Sequence, residues 1–154
     1  MRIVLDANVL VRATPRSTGP AREVLKHIRS GPHFLVLSDF ILAELGRALQ
    51  YPRVRALFEP PLALAQIQAF LEELRGVNPA GTVDTLAAEE VVAVSKDPDD
   101  DPVIQTAVAG RADVLCTLDR HIRRSRKVRE YCAKHGIRIM TDVELLRVLR
   151  TLVP

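Results

Sequence analysis

An α/β fold with a central, mainly parallel sheet of five strands is what this sequence predicts, and three observations carry that expectation. Short apolar runs alternate with amphipathic segments of helical period along the chain. The runs are apolar without alternation, as expected of strands covered on both faces. The 154 residues, 47% of them hydrophobic, suffice for one domain, 1–154, with a sizeable core.

The elements follow in order. RIVL at 2–5 is the first strand. A helix over about 20–30 starts on Pro20, places Ala21, Val24, Leu25 and Ile28 on one face and ends at Gly31. FLVL at 34–37 is the second strand, after which Ser38 can cap a helix that runs to about Gln50 before Pro52 stops it. The stretch 61–75 is amphipathic through Ala63, Ile67, Phe70, Leu71 and Leu74. EVVAV at 90–94 is the third strand, and a helix over about 101–109 carries Val103, Ile104, Ala107 and Val108 on one stripe. DVLCTL at 113–118 is the fourth strand, a helix lies near 124–135, and IRIM at 137–140 is the fifth strand. Thr141 and Glu144 have capping-box spacing for a last helix. The stretches 15–20 and 77–84 read as loops.

Composition excludes several classes. No stretch approaches the roughly 20 apolar residues needed to cross a bilayer, and the apolar run after Arg2 is broken by Asp6, too soon for a signal-peptide core. Cys116 and Cys132 form no CxxC or zinc-like pattern, and Cys116 lies in an apolar run that suits a buried, reduced thiol. A soluble, cytoplasmic protein with no membrane association is expected. The net charge of +3 is mildly basic.

The acids are placed more tellingly than their number suggests. Asp6 ends one apolar run and Asp119 ends another, while Glu44 interrupts the helical pattern FILAELGRAL. In parallel sheets ligands bind beyond the carboxyl ends of the strands, so Asp6 and Asp119 point to one edge. The cluster DPDDD at 97–101 follows a strand and opens a helix, which brings Asp100 and Asp101 toward that edge too. On its helix Glu44 lies four residues from Phe40 and Ala48, on the apolar stripe, where an unpaired carboxylate is costly. Each acid also has an ordinary structural reading: a strand-end turn or helix cap for the aspartates, a salt bridge to an Arg for Glu44. Jointly they predict a shared pocket that a cation would balance. With no Cys or His beside the acids, the oxygen-only set favours Mg2+ or Mn2+ over zinc. Such ions can generate a hydroxide nucleophile and stabilise a leaving oxygen, the chemistry of phosphodiester hydrolysis.

Positive charge flanks that pocket. RHIRRSRKVR at 120–129 holds six Arg or Lys and no acid, with Arg120, Arg123, Arg124, Arg126 and Lys127 as candidates to hold a polyanionic backbone. Arg12, Arg16, Arg22 and Arg47 are further candidates. Such a run can equally be a solvated helix face. Aromatic residues are only 4% of the chain, with no Trp, so recognition by base stacking is limited.

Three segments together, LDANVLV, SDFILAELGRAL and DPDDDPVIQTAVAGRADVLCTLDRHI, resemble the PIN-domain ribonucleases, and most closely the branch of VapC-like toxins from toxin–antitoxin systems. The resemblance extends over essentially the whole chain. It implies a Rossmann-like α/β/α fold, Mg2+- or Mn2+-dependent endoribonuclease activity on RNA, a cognate antitoxin that occupies the site, and a homodimer. By position, Asp6, Glu44, Asp100 and Asp119 match the family's acidic quartet, with Asp6, Asp100 and Asp119 as metal ligands. Asn8, Ser38 and Thr117 match supporting polar positions. Within 97–101 the register is open, with Asp101 and Asp97 as substitutes or supporting neighbours of Asp100. Two positions depart from the pattern: Leu118 stands where a Gly often precedes the last Asp, and His121 replaces an acid.

Two readings of other classes stand beside this one. A binding module could keep the fold and hold RNA or a partner without cutting it. A phospho-acceptor receiver also gathers acids at strand ends, but its chemistry wants a Lys at the end of a late strand, where this chain has Thr141.

Overall fold

A computed structural model describes residues 1–77, 82–83 and 101–152. Among the described residues, five parallel strands form one sheet: β1 (Arg2–Leu5), β2 (Phe34–Ser38), β3 (Thr82–Val83), β4 (Val114–Cys116) and β5 (Arg138–Met140), in the order β3-β2-β1-β4-β5. The register aligns Leu5 with Cys116 and Cys116 with Met140. Consecutive residues of a strand point to opposite faces. Ile3, Val4 and Leu5 are all buried, as are Leu35–Leu37 and Val114–Cys116, so both faces of the central strands are covered.

The covering helices are α2 (Pro20–Ser30), α3 (Asp39–Gln50), α5 (Leu64–Val77), α6 (Asp101–Ala109), α8 (Arg126–Lys134) and α9 (Asp142–Thr151). Short helices α1 (Ala7–Leu10), α4 (Pro52–Arg55) and α7 (Arg120–Arg124) fill connections, and a single 3-10 turn, Val11–Ala13, continues α1. α2 packs on α9, and α3 packs on α5 and α6. Helix ends match their local chemistry: Pro20 occupies the first turn of α2, and the Ser38 hydroxyl accepts from Ile41 N at the start of α3. Thr141 and Glu144 form the capping box of α9.

Two expectations change, and a third, the strand at 90–94, lies outside the described residues. The third described strand, Thr82–Val83, instead falls within 77–84, a stretch read as a loop; two residues pairing with Leu37 and Ser38 at the sheet edge are too few to give a periodic signal. The helix expected near 124–135 is two helices, because Ser125 leaves the helical conformation and its hydroxyl accepts from Val128 N to begin α8.

Gly110 shows how closely α6 approaches the sheet. A Cβ there would collide with the Val36 side chain and come within 3.0 Å of Thr106 O. Both cysteines are buried free thiols. Burial raises the pKa of both, that of Cys132 to about 11, so neither is a ready nucleophile at neutral pH. Among the described residues no helix is long and apolar enough to cross a membrane.

Candidate functional site

The strand order reverses direction at one place. From β1 the chain builds outward through β2 and β3, then returns to lay β4 on the other side of β1. Such a switch point opens a crevice at the carboxyl ends of the two central strands. Asp6 is the first residue beyond β1, and Thr117 is the first beyond β4.

Asp6 is 7% exposed. Its Oδ1 accepts from Ala7 N at 2.7 Å, and its Oδ2 accepts from Thr117 Oγ1 at 2.7 Å and from Asn8 Nδ2 at 3.2 Å. Desolvation raises its pKa above the ordinary aspartate value, and the Asp119 charge adds to that rise; the hydrogen bonds from Thr117, Ala7 and Asn8 oppose it. Fixed in orientation and short of compensating charge, this carboxylate would gain from a cation.

Asp119 approaches from β4. Its Oδ1 accepts from His121 N at 2.7 Å, capping α7, and its own N–H donates to Thr117 Oγ1 at 3.1 Å. The helix-cap reading of this aspartate therefore holds, and it is compatible with a place at the cavity. Asn8 Oδ1 accepts from Leu118 N at 3.2 Å, and Asn8 Nδ2 also reaches Thr117 Oγ1 at 3.4 Å. Asn8 and Thr117 thus tie the turn after β1 to the turn after β4.

A cavity of about 270 Å³ opens at this point, walled by Asp6, Ala7, Asn8, Phe40, Ile41, Glu44, Ala48, Val103 and Asp119. Three acids expected to converge, Asp6, Glu44 and Asp119, do share it. Glu44 differs from expectation in its environment. The buried stripe of α3 is Ile41, Leu42, Leu45 and Leu49, and Glu44 lies on its flank with a side chain 43% exposed, paired with Arg47 one turn on. The salt-bridge reading therefore holds for Glu44, and its cost of burial is small. Exposed i,i+3 pairs of this kind contribute little and open readily.

Asp97 and Asp100 lie outside the described residues. Asp101 begins α6, and Val103 in the first turn of that helix lines the cavity. Among the described residues, no three His, Cys, Asp or Glu side chains stand close enough to hold a metal ion. The donor chemistry nonetheless suits a hard divalent cation, since the acids facing the cavity offer only oxygen.

Ser38 is fully buried at the start of α3. Thr106 Oγ1 and Ser38 Oγ lie 2.8 Å apart, and Thr106 Oγ1 donates to Pro102 O at 2.7 Å. The pair links the first turn of α6 to the helix that carries Glu44. Thr106 was not apparent as a site residue, because in VIQTAV it reads as one more residue of an apolar stripe. Phe40 and Val103, which wall the cavity, likewise read as core.

The basic run divides. Arg120, Arg124, Arg126 and Lys127 are exposed, whereas Arg123 is half-buried with its Nε enclosed and without a partner among the described residues. Arg126 pairs with Glu130 at 2.8 Å. Of the other arginines, Arg47 is engaged by Glu44, Arg22 donates to Ala13 O at 3.0 Å, and Arg16 donates to Pro60 O at 2.6 Å.

Comparison with known proteins agrees with this architecture. Residues 2–121 match the family model of the PIN domain. Among solved structures, the chain is similar to the crystal structure of VapBC2 from Rickettsia felis bound to a DNA fragment from their promoter, with a TM-score of 0.56 and 15% sequence identity, covering 90% of this chain and 98% of that one. No curated relative matches the sequence.

Proposed function

Because this chain belongs to the PIN domain family, we propose that it is a divalent-metal-dependent endoribonuclease and the toxin of a toxin–antitoxin pair. The observation that carries the reading is the convergence of Asp6, Glu44 and Asp119 on one cavity at the switch point of the sheet. Desolvation of Asp6 beside the Asp119 charge supports it, since a cation there offsets both. In this proposal Asp6 is the central ligand, and Asp119 and Asp100 complete the set, with Asp101 and Asp97 as substitutes. Magnesium or manganese, when bound, supplies a water of lowered pKa and charge to stabilise the leaving oxygen.

The chain's own groups prepare that site. Thr117 and Asn8 hold the Asp6 carboxylate in one orientation through Oδ2. Glu44, released from Arg47, would orient a water or help to hold a second ion in the cavity it shares with Asp6, and Ser38 with Thr106 fixes the helix it rides on. Arg120 and Arg124 on the exposed side of α7, beside Asp119, are available to the RNA backbone. The likeness to VapBC2, solved bound to a DNA fragment from its promoter, supports a partner protein, and an antitoxin that occupies the site and a homodimeric toxin are part of the proposal.

Cleavage of a structured RNA pool, with and without Mg2+ or Mn2+, tests the reading. Products that require the metal and vanish with a chelator are expected, and products independent of metal would contradict it. A second reading is a PIN fold that binds RNA or a partner without cutting it. RNA retention with no products at any metal concentration would select that one.

A further inference from the structure

A second cavity lies at the same edge of the sheet, and none of the acids placed in the proposed nuclease site lines it. It measures about 370 Å³, and Arg12, Arg16, Ser17, Thr18, Phe58 and Asp142 are among its walls. That volume lies within the roughly 300–1,000 Å³ usual for small-molecule sites. Asp142 is only 4% exposed. Its Oδ1 accepts from Val143 N at 2.9 Å, and among the described residues its Oδ2 takes no hydrogen bond and neither oxygen has a cationic partner. A carboxylate so enclosed, with acceptor capacity left over in a cavity wall, calls for a donor from a ligand.

The surroundings narrow the choice of ligand. Arg16 lies over the Phe58 ring at 5.7 Å from its centroid, so a cationic and aromatic platform forms one wall. Arg12 stands at the exposed rim. Two guanidinium groups against one carboxylate make the cavity net positive, which disfavours an Arg or Lys side chain as occupant and favours a group that joins an anion to N–H donors. Nucleotides are such groups, since a base can stack on the platform while its phosphate meets Arg12. Among bases, guanine presents N1–H and an N2 amino group side by side to a carboxylate. Adenine and cytosine set an acceptor beside their amino group, and uracil flanks its one N–H with carbonyls.

Position ties the cavity to the proposed nuclease site. Leu5, Cys116 and Met140 are aligned across β1, β4 and β5. Asp6 follows Leu5 directly, and Asp142 follows Met140 by two residues. Two strand spacings separate these strand ends, roughly 10 Å. Val11 and Arg12, also in the cavity wall, continue the short helix that Asp6 caps.

We propose that the cavity of Arg12, Arg16, Phe58 and Asp142 is a guanine-recognition subsite for the RNA strand, next to the point of cleavage. Asp142 accepts the Watson–Crick-edge donors of the base, and Arg12 holds the backbone. The strand-cleavage part of this assignment rests on the nuclease reading, whereas base binding does not.

Calorimetric titration of the full chain with 5′-GMP, 5′-AMP, 5′-CMP and 5′-UMP tests the binding. GMP is expected to bind at least about tenfold more tightly than UMP. Asp142→Asn keeps an oxygen for Val143 N but turns an amino group toward the base, so it should erase the preference. Arg12→Gln should weaken all four nucleotides about equally. Asp6→Asn should leave the preference intact, which separates this site from the fate of the nuclease reading. Equal binding of the four nucleotides, or a preference untouched by Asp142→Asn, would overturn the assignment, as would binding of argininamide in their place. Cleavage-site mapping then distinguishes RNA from free nucleotide. Guanine enriched at a fixed offset from the cut, and lost in Asp142→Asn, is expected; GMP binding without such enrichment would refute a role in RNA recognition.

Discussion

Thr117 Oγ1 donates to Asp6 Oδ2 at 2.7 Å while the same hydroxyl accepts from Asp119 N at 3.1 Å. One buried side chain therefore sets the orientation of the acid beyond β1 and the turn carrying the acid beyond β4. Partners of this kind behind a metal ligand are worth about 10–100-fold in affinity or activity. Thr117→Val should lower metal-dependent cleavage by that order with the fold intact, and Thr117→Ser should restore most of it. Full activity in the valine variant would show that Asp6 needs no such support.

Asp6 gives a pH signature with a definite sign. Its folded-state pKa is raised, chiefly by desolvation and further by Asp119, so the folded protein holds this proton more tightly than the unfolded chain does. The associated stability is present below the ordinary value of 3.8 and is lost as pH rises through the folded-state value. In metal-free protein the melting temperature of wild type should therefore fall relative to Asp6→Asn as pH is raised across that window. Mn2+ at higher pH should recover the loss in wild type alone. A pH-independent difference between the two would contradict the desolvated carboxylate.

Two glycines on α5 and at the end of α6 predict opposite effects. A Cβ at Gly110 would strike Val36, so Gly110→Ala should destabilise by about 1–3 kcal/mol. Gly76 lies within α5 with nothing near its missing Cβ, so Gly76→Ala should stabilise by about 0.4–1 kcal/mol. Denaturant midpoints of the two variants check both signs.

The basic run predicts a graded salt dependence. Replacing Arg120 or Arg124 by Gln should weaken RNA binding and reduce the slope of log affinity against log salt by about 1 if each meets a phosphate. Arg126→Gln should do less, because Glu130 already offsets that charge. Equal slopes in all variants would identify the run as a solvated helix surface.

Most of the scaffold was legible because its signals are local. RIVL, FLVL and IRIM stand out as short apolar runs of strand length, and Pro20, Ser38 and Thr141 announce their helix starts. Thr82–Val83 was not legible, since a two-residue edge strand is defined by its partner and not by any pattern of its own. The ends of β1 and β4 placed Asp6 and Asp119 at one edge, and the strand order brought them to a common cavity. Glu44 was located correctly on its helix and misjudged in burial, because helical spacing gives a direction and not the depth of the neighbouring surface. Asp142 escaped notice altogether. At the first position of a helix an aspartate reads as dipole compensation, and only the cavity beside it shows that it is enclosed.

The measurement closest to the central claim is single-turnover cleavage of one mapped RNA by wild type and Asp6→Asn, in Mg2+ and in Mn2+, on protein shown to be folded in both forms. Metal-dependent cleavage by wild type and its loss in Asp6→Asn is the predicted result. A folded Asp6→Asn variant that still cuts the RNA at a comparable rate would contradict the placement of the metal site at Asp6.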